Sequence, residues 1–397
     1  PAKIERGKEK KQITAFIVET NTPGFQAAYR CSFMGLHGVQ LGLLKFNNVK
    51  VPRENILLGE GQGLKLAFLT LNTGRLTVPA AVTGGSKLCL MIARKWSKER
   101  KQWGLPIGEH ELVAGKLAAM AANTFAMDAV TWLTSDMADA KKLDIRLEAA
   151  MAKLFCTETS WKVVDDALQI RGGRGFETGP SLKGRGEVGY PIERMFRDSR
   201  VNLIIEGTSQ IMRLFIAREA LDLHLKRAMS IMDRKVSIFK RIKEAVSMGV
   251  YYFFWFLGLW LPSFASRNMA DLPLPVKNHM LFVQAATKRL ARTLFLKMLI
   301  YQQRLESRQN LLARFVDIGT DIFVMSCVCS YAVSLSKKEQ AQGSSSLELA
   351  DLFCLQAKTR IARNFEDIRH NQDKTVHLIA KKLLAGEYEW LENEIIS

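Results

Sequence analysis

The residues best placed to do chemistry lie in the run Met195-Phe196-Arg197-Asp198-Ser199-Arg200-Val201-Asn202-Leu203-Ile204-Ile205-Glu206-Gly207-Thr208-Ser209-Gln210. A polar, glycine-rich segment ends there and a helix begins. Glu206 follows two isoleucines and precedes Gly-Thr, which predicts a turn that sends its side chain into an apolar cavity. Burial of that kind raises a carboxylate's pKa toward neutrality and makes it a competent base. Thr208 is the expected N-cap of the helix Gln210 to Glu219. The same residues also suit a plain capped helix whose first-turn Glu complements the helix dipole.

Two further stretches have types that suit ligand binding. Gln169-Ile170-Arg171-Gly172-Gly173-Arg174-Gly175-Phe176 interrupts a helical pattern, and its glycines predict a loop whose backbone can approach a ligand closely. Lys95 to Lys101 is a basic run that reads, by itself, as a solvated turn. The six cysteines are scattered without a CxxC pair and the six histidines lack ligand spacing, so no metal site and no disulfide framework is expected. This cysteine usage reads as a reduced, intracellular chain.

The elements that must hold these residues are mostly helical. Residues 1 to about 55 read as β structure: Ile13-Thr14-Ala15-Phe16-Ile17-Val18 is rich in branched residues, Val39 to Leu43 alternates, and Phe46-Asn47-Asn48-Val49 turns the chain. From about Gly63 the period is helical. Leu112 to Ala140 suits one long helix, and Leu147, Met151, Leu154, Trp161 and Leu168 fall on one helix stripe. Long helices with short polar connections predict a bundle. Gln342-Gly343-Ser344-Ser345-Ser346 reads as a flexible linker. The chain enters strand-like sequence directly from Pro1 and reads as part of a longer polypeptide.

The net charge of +18 is uneven. Lys226 to Arg314 holds 16 Lys and Arg against 4 Asp and Glu, a local excess of +12. Val250 to Leu261, inside this stretch, is too apolar and contiguous for a base-stacking surface, so a lipid surface is expected and nucleic acid is not. The uncharged run Ala245 to Ser266 is flanked by Lys240, Arg241, Lys243 and Arg267. Gly249, Gly258 and Pro262 argue against a spanning helix. Shallow insertion through Trp255, Phe256 and Trp260 is expected, the alternative being a buried core helix.

Five stretches in order resemble the flavin-dependent acyl-CoA dehydrogenases: ITAFIVETNTPGF from Ile13, FNNVKVPRENILLGEGQG from Phe46, ERKQWGLPI from Glu99, QIRGGRGF from Gln169 and RMFRDSRVNLIIEGTSQIMR from Arg194. LNTGRLTVPAA from Leu71, RQNLLARFVDIGTDIFVMSC from Arg308 and LADLFCLQAKTRIARN from Leu349 are similar to the very-long-chain branch, which carries an extra C-terminal helical domain. The resemblance implies a mostly α architecture. Residues 1–55 would be the end of a β-barrel-like middle domain, and 56–225 the family's C-terminal four-helix bundle. Residues 226–266 would be a basic and apolar membrane-binding segment, and 267–397 an additional helical domain. The family's N-terminal helical domain and first half of its β-domain have no counterpart here, which implies poor flavin binding if the gene product is this short.

The chemistry implied is dehydrogenation of a long-chain acyl-CoA to trans-2-enoyl-CoA in fatty acid β-oxidation. A glutamate removes the α-proton and the β-hydrogen leaves as hydride to FAD. The glutamate's own backbone N–H and a flavin hydroxyl polarise the thioester carbonyl. Glu206 matches the base; the slot where some relatives carry it instead, just before the arginine, is Gly74. Asn72, Arg75 and Gly207 match substrate contacts. Arg100 and Gln102 match residues that reach the FAD pyrophosphate of a neighbouring subunit, Gln169, Gly172 and Gly173 the loop at the adenosine half, and Thr208 and Gln210 contacts beside the base. Glu111 and Ile205 depart from the family's usual Gln and aromatic. The implied partners are acyl-CoA, electron-transferring flavoprotein, a second copy in a homodimer, and a membrane surface. The implied place is the matrix side of the mitochondrial inner membrane, or the cytoplasmic face of a bacterial membrane. A non-enzymatic scaffold for respiratory complex assembly is the other reading, disfavoured because Glu206, Arg75 and Arg100 are all kept.

Overall fold

The structure, a computed structural model, describes residues 2–4, 12–141, 144–232, 238–261, 269, 271–338 and 340–393. The side chains of residues 2–4, Asn72, 223–232, 238, 240–241, 243–245 and 340–342 lie outside this description, as do Pro262 to Ser266 and Arg267 of the apolar run and its flank. The chain divides into two units, residues 1–216 with 323–353, and residues 217–322 with 354–397.

The first unit opens with β structure. Strands β1 (Ala2–Ile4), β2 (Gln12–Phe16) and β5 (Ile56–Leu57) form an antiparallel sheet in the order β1-β2-β5. Strands β3 (Phe25–Arg30) and β4 (Gly42–Phe46) form a bulged ribbon that pairs Phe25 with Phe46. The alternation at Val39 to Leu43 marks the approach to β4 rather than a strand of its own, because Cys31 N bonds Leu41 O at the open end of the ribbon.

Helix α1 (Gly63–Glu99) begins where the hydrophobic period changes. A hairpin of β6 (Lys101–Gln102) and β7 (Leu105–Pro106) leads to α2 (Glu111–Ala140), which agrees with the helix expected from Leu112. Glu111, the first departure from the family pattern, is the first residue of α2, where a carboxylate meets the positive end of the helix dipole.

Helix α3 (Arg146–Arg171) is central, and it corrects the single-stripe expectation. Alanines 149, 150, 152 and 167 are buried together with Met151, Leu154, Val163 and Val164, so α3 is covered on most sides while Trp161 and Leu168 are half-buried. Small residues let α1 and α2 approach closely, and that approach buries the faces a lone amphipathic helix would leave wet. The core under the bundle is Cys89, Ile92, Ala93, Met120, Val163, Val164, Ala167, Ile170 and Ile192. All six cysteines are free thiols; burial pushes those of Cys89 and Cys327 up to about 12, so they act as small apolar groups.

Short helices α4 (Gly173–Phe176), α5 (Gly179–Gly184) and α6 (Ile192–Ser199) lead to α7 (Ser209–Met232). Helices α8 (Ile238–Gly258), α9 (Leu274–Tyr301), α10 (Gln309–Lys338), α11 (Gln340–Arg369) and α12 (Asp373–Leu384) complete the chain. The supposed linker at 342–346 is helical, in the first turns of α11. Gly343 packs on the backbone of Ser336, and buried Ser346 donates to the carbonyls of Gly343 (2.9 Å) and Ala332 (3.3 Å). Its Gly and Ser residues serve a close helix crossing, not flexibility.

In the second unit, Tyr252, Trp255 and Phe256 of α8 gather on Phe295 of α9, with ring centroids 5.4, 5.7 and 5.4 Å away. Paired guanidinium–carboxylate contacts join its other helices: Arg360 with Asp321, and Arg314 with Asp373 at the start of α12. The whole is mostly helical with few strands, as expected.

Candidate active site

The turn that carries Glu206 is built by its flanks. Arg197 on α6 pairs with Glu193 and donates to the Met34 carbonyl (3.0 Å), while Asp198 accepts from the Leu36 N–H (2.6 Å). These contacts clamp the β3–β4 connection onto α6. A 3-10 turn, Arg200–Leu203, follows, and at Glu206 the backbone turns left-handed with φ 56°. A non-glycine residue there costs on the order of 1 kcal/mol, a strain the surroundings must hold in place. Gly207 continues at φ 101°, open to glycine alone, and Thr208 caps α7 by accepting from the Ile211 N–H (3.3 Å). The expected cap is therefore present, one residue before α7 starts at Ser209.

The side chain of Glu206 does not go where the isoleucines suggest. Ile204 and Ile205 are 51% and 40% exposed and form no apolar pocket wall, and the backbone at Glu206 turns left-handed. The carboxylate lies instead against Gly74 of α1: a Cβ on Gly74 would stand 2.6 Å from Cδ and 2.7 Å from Oε1 of Glu206. Glu206 Oε2 is buried and has no hydrogen-bond partner among the described residues. Gly74 and Glu206 thus share one space, the slot and the carboxylate that the sequence sets against each other.

Two cations complete this cluster. Arg75, 6% exposed, stacks its guanidinium 4.2 Å from the centroid of the Phe215 ring. Pro79 one turn on cannot donate to the Arg75 carbonyl, so α1 is locally irregular just where it bears the site. Lys153 of α3, fully buried, donates from Nζ to the Gly207 carbonyl at 2.8 Å. Burial pulls its pKa down to about 8, opposed by Glu206 and Glu158 and reinforced by Arg75. Asn72 lies on α1 one turn before Arg75, and its side chain is outside the described residues.

A second site lies in the same unit. A cavity of about 560 Å³ is lined by Trp96, Arg100, Gln102, Ile107, Ile170, Arg171, Gly172, Gly173, Arg174, Glu177 and Arg185. The β6–β7 hairpin presents Arg100 and Gln102 through a two-residue turn in which Trp103 and Gly104 both have positive φ, the I′ geometry that suits strand twist. The Gln169–Phe176 segment is a sharp break between two helices rather than a loop. Gly172 (φ 60°) ends α3, and no atom lies within 4 Å of where Cβ atoms of Gly172 and Gly173 would be. Arg171 is buried between Trp96 (4.6 Å) and Tyr190 (5.3 Å), and its Nε has no partner among the described residues. Arg174 is held bidentately by Glu187.

The residues singled out from sequence therefore fall in two places. Glu206, Gly207, Thr208 and Arg75 meet at the turn, and Arg100, Gln102, Gly172 and Gly173 meet at the cavity. Gln210 is exposed at the start of α7, and Gln169 is exposed one turn before Gly172 without lining the cavity.

The acyl-CoA dehydrogenase C-terminal domain family matches residues 61–221, which contain both sites, and the ACAD9/ACADV C-terminal domain family matches residues 276–387. The probable acyl-CoA dehydrogenase FadE10 of Mycobacterium tuberculosis is 43% identical over 390 residues, 97% of this chain and 59% of its own length. The chain belongs to the acyl-CoA dehydrogenase family. The mitochondrial very long-chain specific acyl-CoA dehydrogenase of rat is 28% identical over 92% of this chain and 54% of its own length. The chain thus spans little more than half of these acyl-CoA dehydrogenases. A crystal structure of an acyl-CoA dehydrogenase complexed with FAD from Bacillus anthracis shares the fold, with a TM-score of 0.73 and 24% identity over 94% of this chain and 62% of its own.

Sequence reading missed Lys153, Arg171 and Trp96 at these two places. The signal for Lys153 was present: a lone Lys amid Ala149, Ala150, Met151, Ala152 and Leu154 on an apolar helix. The space shared by Gly74 and Glu206 also gives a prediction. Gly74→Ala inserts a Cβ where the carboxylate stands, so the fold should survive, the helix gaining from Ala. Under the reading proposed below, in which Glu206 is the base, proton abstraction should fall by about 10²-fold through its misplacement. Stopped-flow bleaching of the flavin by palmitoyl-CoA measures this, and a rate equal to wild type would show that the carboxylate does not react from this position.

Proposed function

We propose that this chain carries the base and part of the cofactor site of an FAD-dependent acyl-CoA dehydrogenase acting on long acyl chains. The observation that carries the reading is the Glu206 carboxylate held on a left-handed turn against Gly74, beside buried Arg75 and Lys153. A half-buried carboxylate with an unpartnered oxygen suits removal of a carbon-bound proton, since no resident hydrogen bond must be broken first. Arg75 would anchor the thioester end of the acyl-CoA, and the backbone N–H of Glu206 would polarise its carbonyl as the α-proton leaves.

The cavity around Arg100 fits the FAD this reading requires. Fixed guanidinium groups match a pyrophosphate, the unpartnered Nε of Arg171 awaits an acceptor, and the clear space over Gly172 and Gly173 admits a flat ring close to the backbone. When bound, FAD accepts the hydride from the β-carbon. By the family pattern this cavity serves the FAD of a second copy, so a homodimer is part of the reading, with electron-transferring flavoprotein as the onward acceptor. Retention of a positioned carboxylate with its cations favours an enzyme over a scaffold.

Helix α8 supports a membrane surface as a further partner. Val246, Val250, Phe253 and Leu257 are exposed along one stripe, with exposed Trp260 in the turn that follows, while Tyr252, Trp255 and Phe256 face Phe295. The apolar part, Val246–Gly258, is too short to cross a hydrocarbon core of about 30 Å at about 1.5 Å per residue, which fits shallow insertion.

The test of the enzyme reading is anaerobic addition of saturated acyl-CoAs of increasing length to the FAD-loaded protein. Bleaching of the flavin that is faster with palmitoyl-CoA than with butyryl-CoA supports the reading, and absence of bleaching with any of them rejects it.

A further inference from the structure

We propose that Lys153 is a positioning residue for the reaction assigned to Glu206: its ammonium group holds the Gly207 carbonyl and thereby fixes the left-handed turn that aims the Glu206 carboxylate. The inference rests on Glu206 being the base. It starts from an anomaly of placement. Lys153 lies in the most buried stretch of α3, among alanines, Met151 and Leu154, and none of its side chain is exposed. Among the described residues, Nζ has one hydrogen-bond acceptor, the Gly207 carbonyl at 2.8 Å, and no carboxylate within ion-pair distance. A methionine would fill the same volume without desolvating a cation, so stability does not account for the residue.

The geometry supplies the account. Gly207, at φ 101°, lies outside the helical ladders, and its carbonyl needs a donor that backbone does not provide. Lys153 approaches from beneath and provides it. The charge has its own consequence. The groups that face Lys153 are Glu206 from the turn, Arg75 from α1 and Glu158 from its own helix, and Glu158 is held bidentately by Arg213 of α7 at 2.7 and 3.0 Å. With Glu158 committed to Arg213, the charge of Lys153 acts mainly on Glu206. Burial brings the Lys153 pKa down to about 8, so near pH 7 the group is still mostly protonated and carries its charge beside the turn.

Two substitutions separate the hydrogen bond from the charge. Lys153→Met removes both, whereas Lys153→Gln removes the charge and keeps an N–H donor one bond nearer the backbone. In the FAD-loaded protein, Lys153→Met should leave the apparent affinity for palmitoyl-CoA within about threefold and slow flavin bleaching by about 10²-fold, because the turn no longer holds its aim. Lys153→Gln should recover about a tenth or more of the wild-type rate, with the apparent affinity for palmitoyl-CoA again within about threefold. Wild-type bleaching in a folded Lys153→Met variant overturns the proposal, as does a folded Lys153→Gln variant that bleaches at less than about a hundredth of the wild-type rate, an outcome that decides alone if Lys153→Met does not fold. Glu206→Gln measured alongside separates the two ideas: full bleaching there removes the base assignment itself. Loss there, combined with wild-type behaviour of the Lys153 variants, overturns the role of Lys153 alone.

Discussion

Glu206→Gln is expected to slow flavin bleaching by palmitoyl-CoA by about three orders of magnitude or more, in line with the upper range of general-base contributions. The substitution keeps the size and shape of the side chain. An amide accepts no proton at these pH values, so what is lost is basicity alone. The turn should survive, because the forces that hold it are elsewhere: the φ of Gly207, the Thr208 cap, and the Lys153 hydrogen bond at 2.8 Å. FAD affinity should survive too, since the cavity residues Arg100, Gln102, Gly172 and Gly173 do not include Glu206. The measurement is stopped-flow absorbance in the visible flavin band with equal FAD occupancy in both proteins. A fall of less than about tenfold would mean that another group takes the proton, since a lost base is worth at least 10².

Much of this site is legible in the sequence because local rules decide it. Thr208 caps the next helix whatever lies around it, Gly207 marks a backbone that other residues avoid, and the helical periods of α1 and α2 start within a residue of where pattern places them. What fails depends on neighbours distant along the chain. Ile204 and Ile205 predict an apolar pocket for Glu206, yet the left-handed turn sends the carboxylate to Gly74, 132 positions earlier in the chain. Gln342 to Ser346 has the composition of a linker, and only the nearness of Ser336 and Ala332 explains why small residues are needed in a helix there. Lys153 looks like a misplaced surface residue until the Gly207 carbonyl stands beside it. Burial of α3 on most sides likewise comes from the helices around it, not from its own pattern.

Replacing Val250, Phe253, Phe254 and Leu257 together by Ser is expected to release the protein from anionic vesicles while leaving it folded. The structure selects these residues over Trp255 and Phe256. Those two stack on Phe295, so their removal would loosen α8 from α9 and confuse loss of binding with loss of structure. The four chosen side chains are all exposed on α8. Even at about 1 kcal/mol each for partial transfer out of water, they contribute about 4 kcal/mol, or roughly 10³-fold in partition. The cationic contribution is smaller, about 1 kcal/mol per group near an anionic surface, and it is screened by salt. Arg292 and Lys288 are partly committed already, donating to the carbonyls of Leu259 (2.6 Å) and Leu261 (3.0 Å) at the end of α8. Wild-type binding should accordingly weaken but persist at high salt, where the apolar stripe still operates. Co-sedimentation with phosphatidylglycerol-containing vesicles, with near-UV circular dichroism to confirm packing around Phe295, makes the measurement. Full binding by the folded variant would reject membrane insertion through α8. Unchanged vesicle binding joined to a smaller oligomer on sedimentation would assign the stripe to a contact between copies, since its spacing of alternately four and three residues also suits a helix–helix seam.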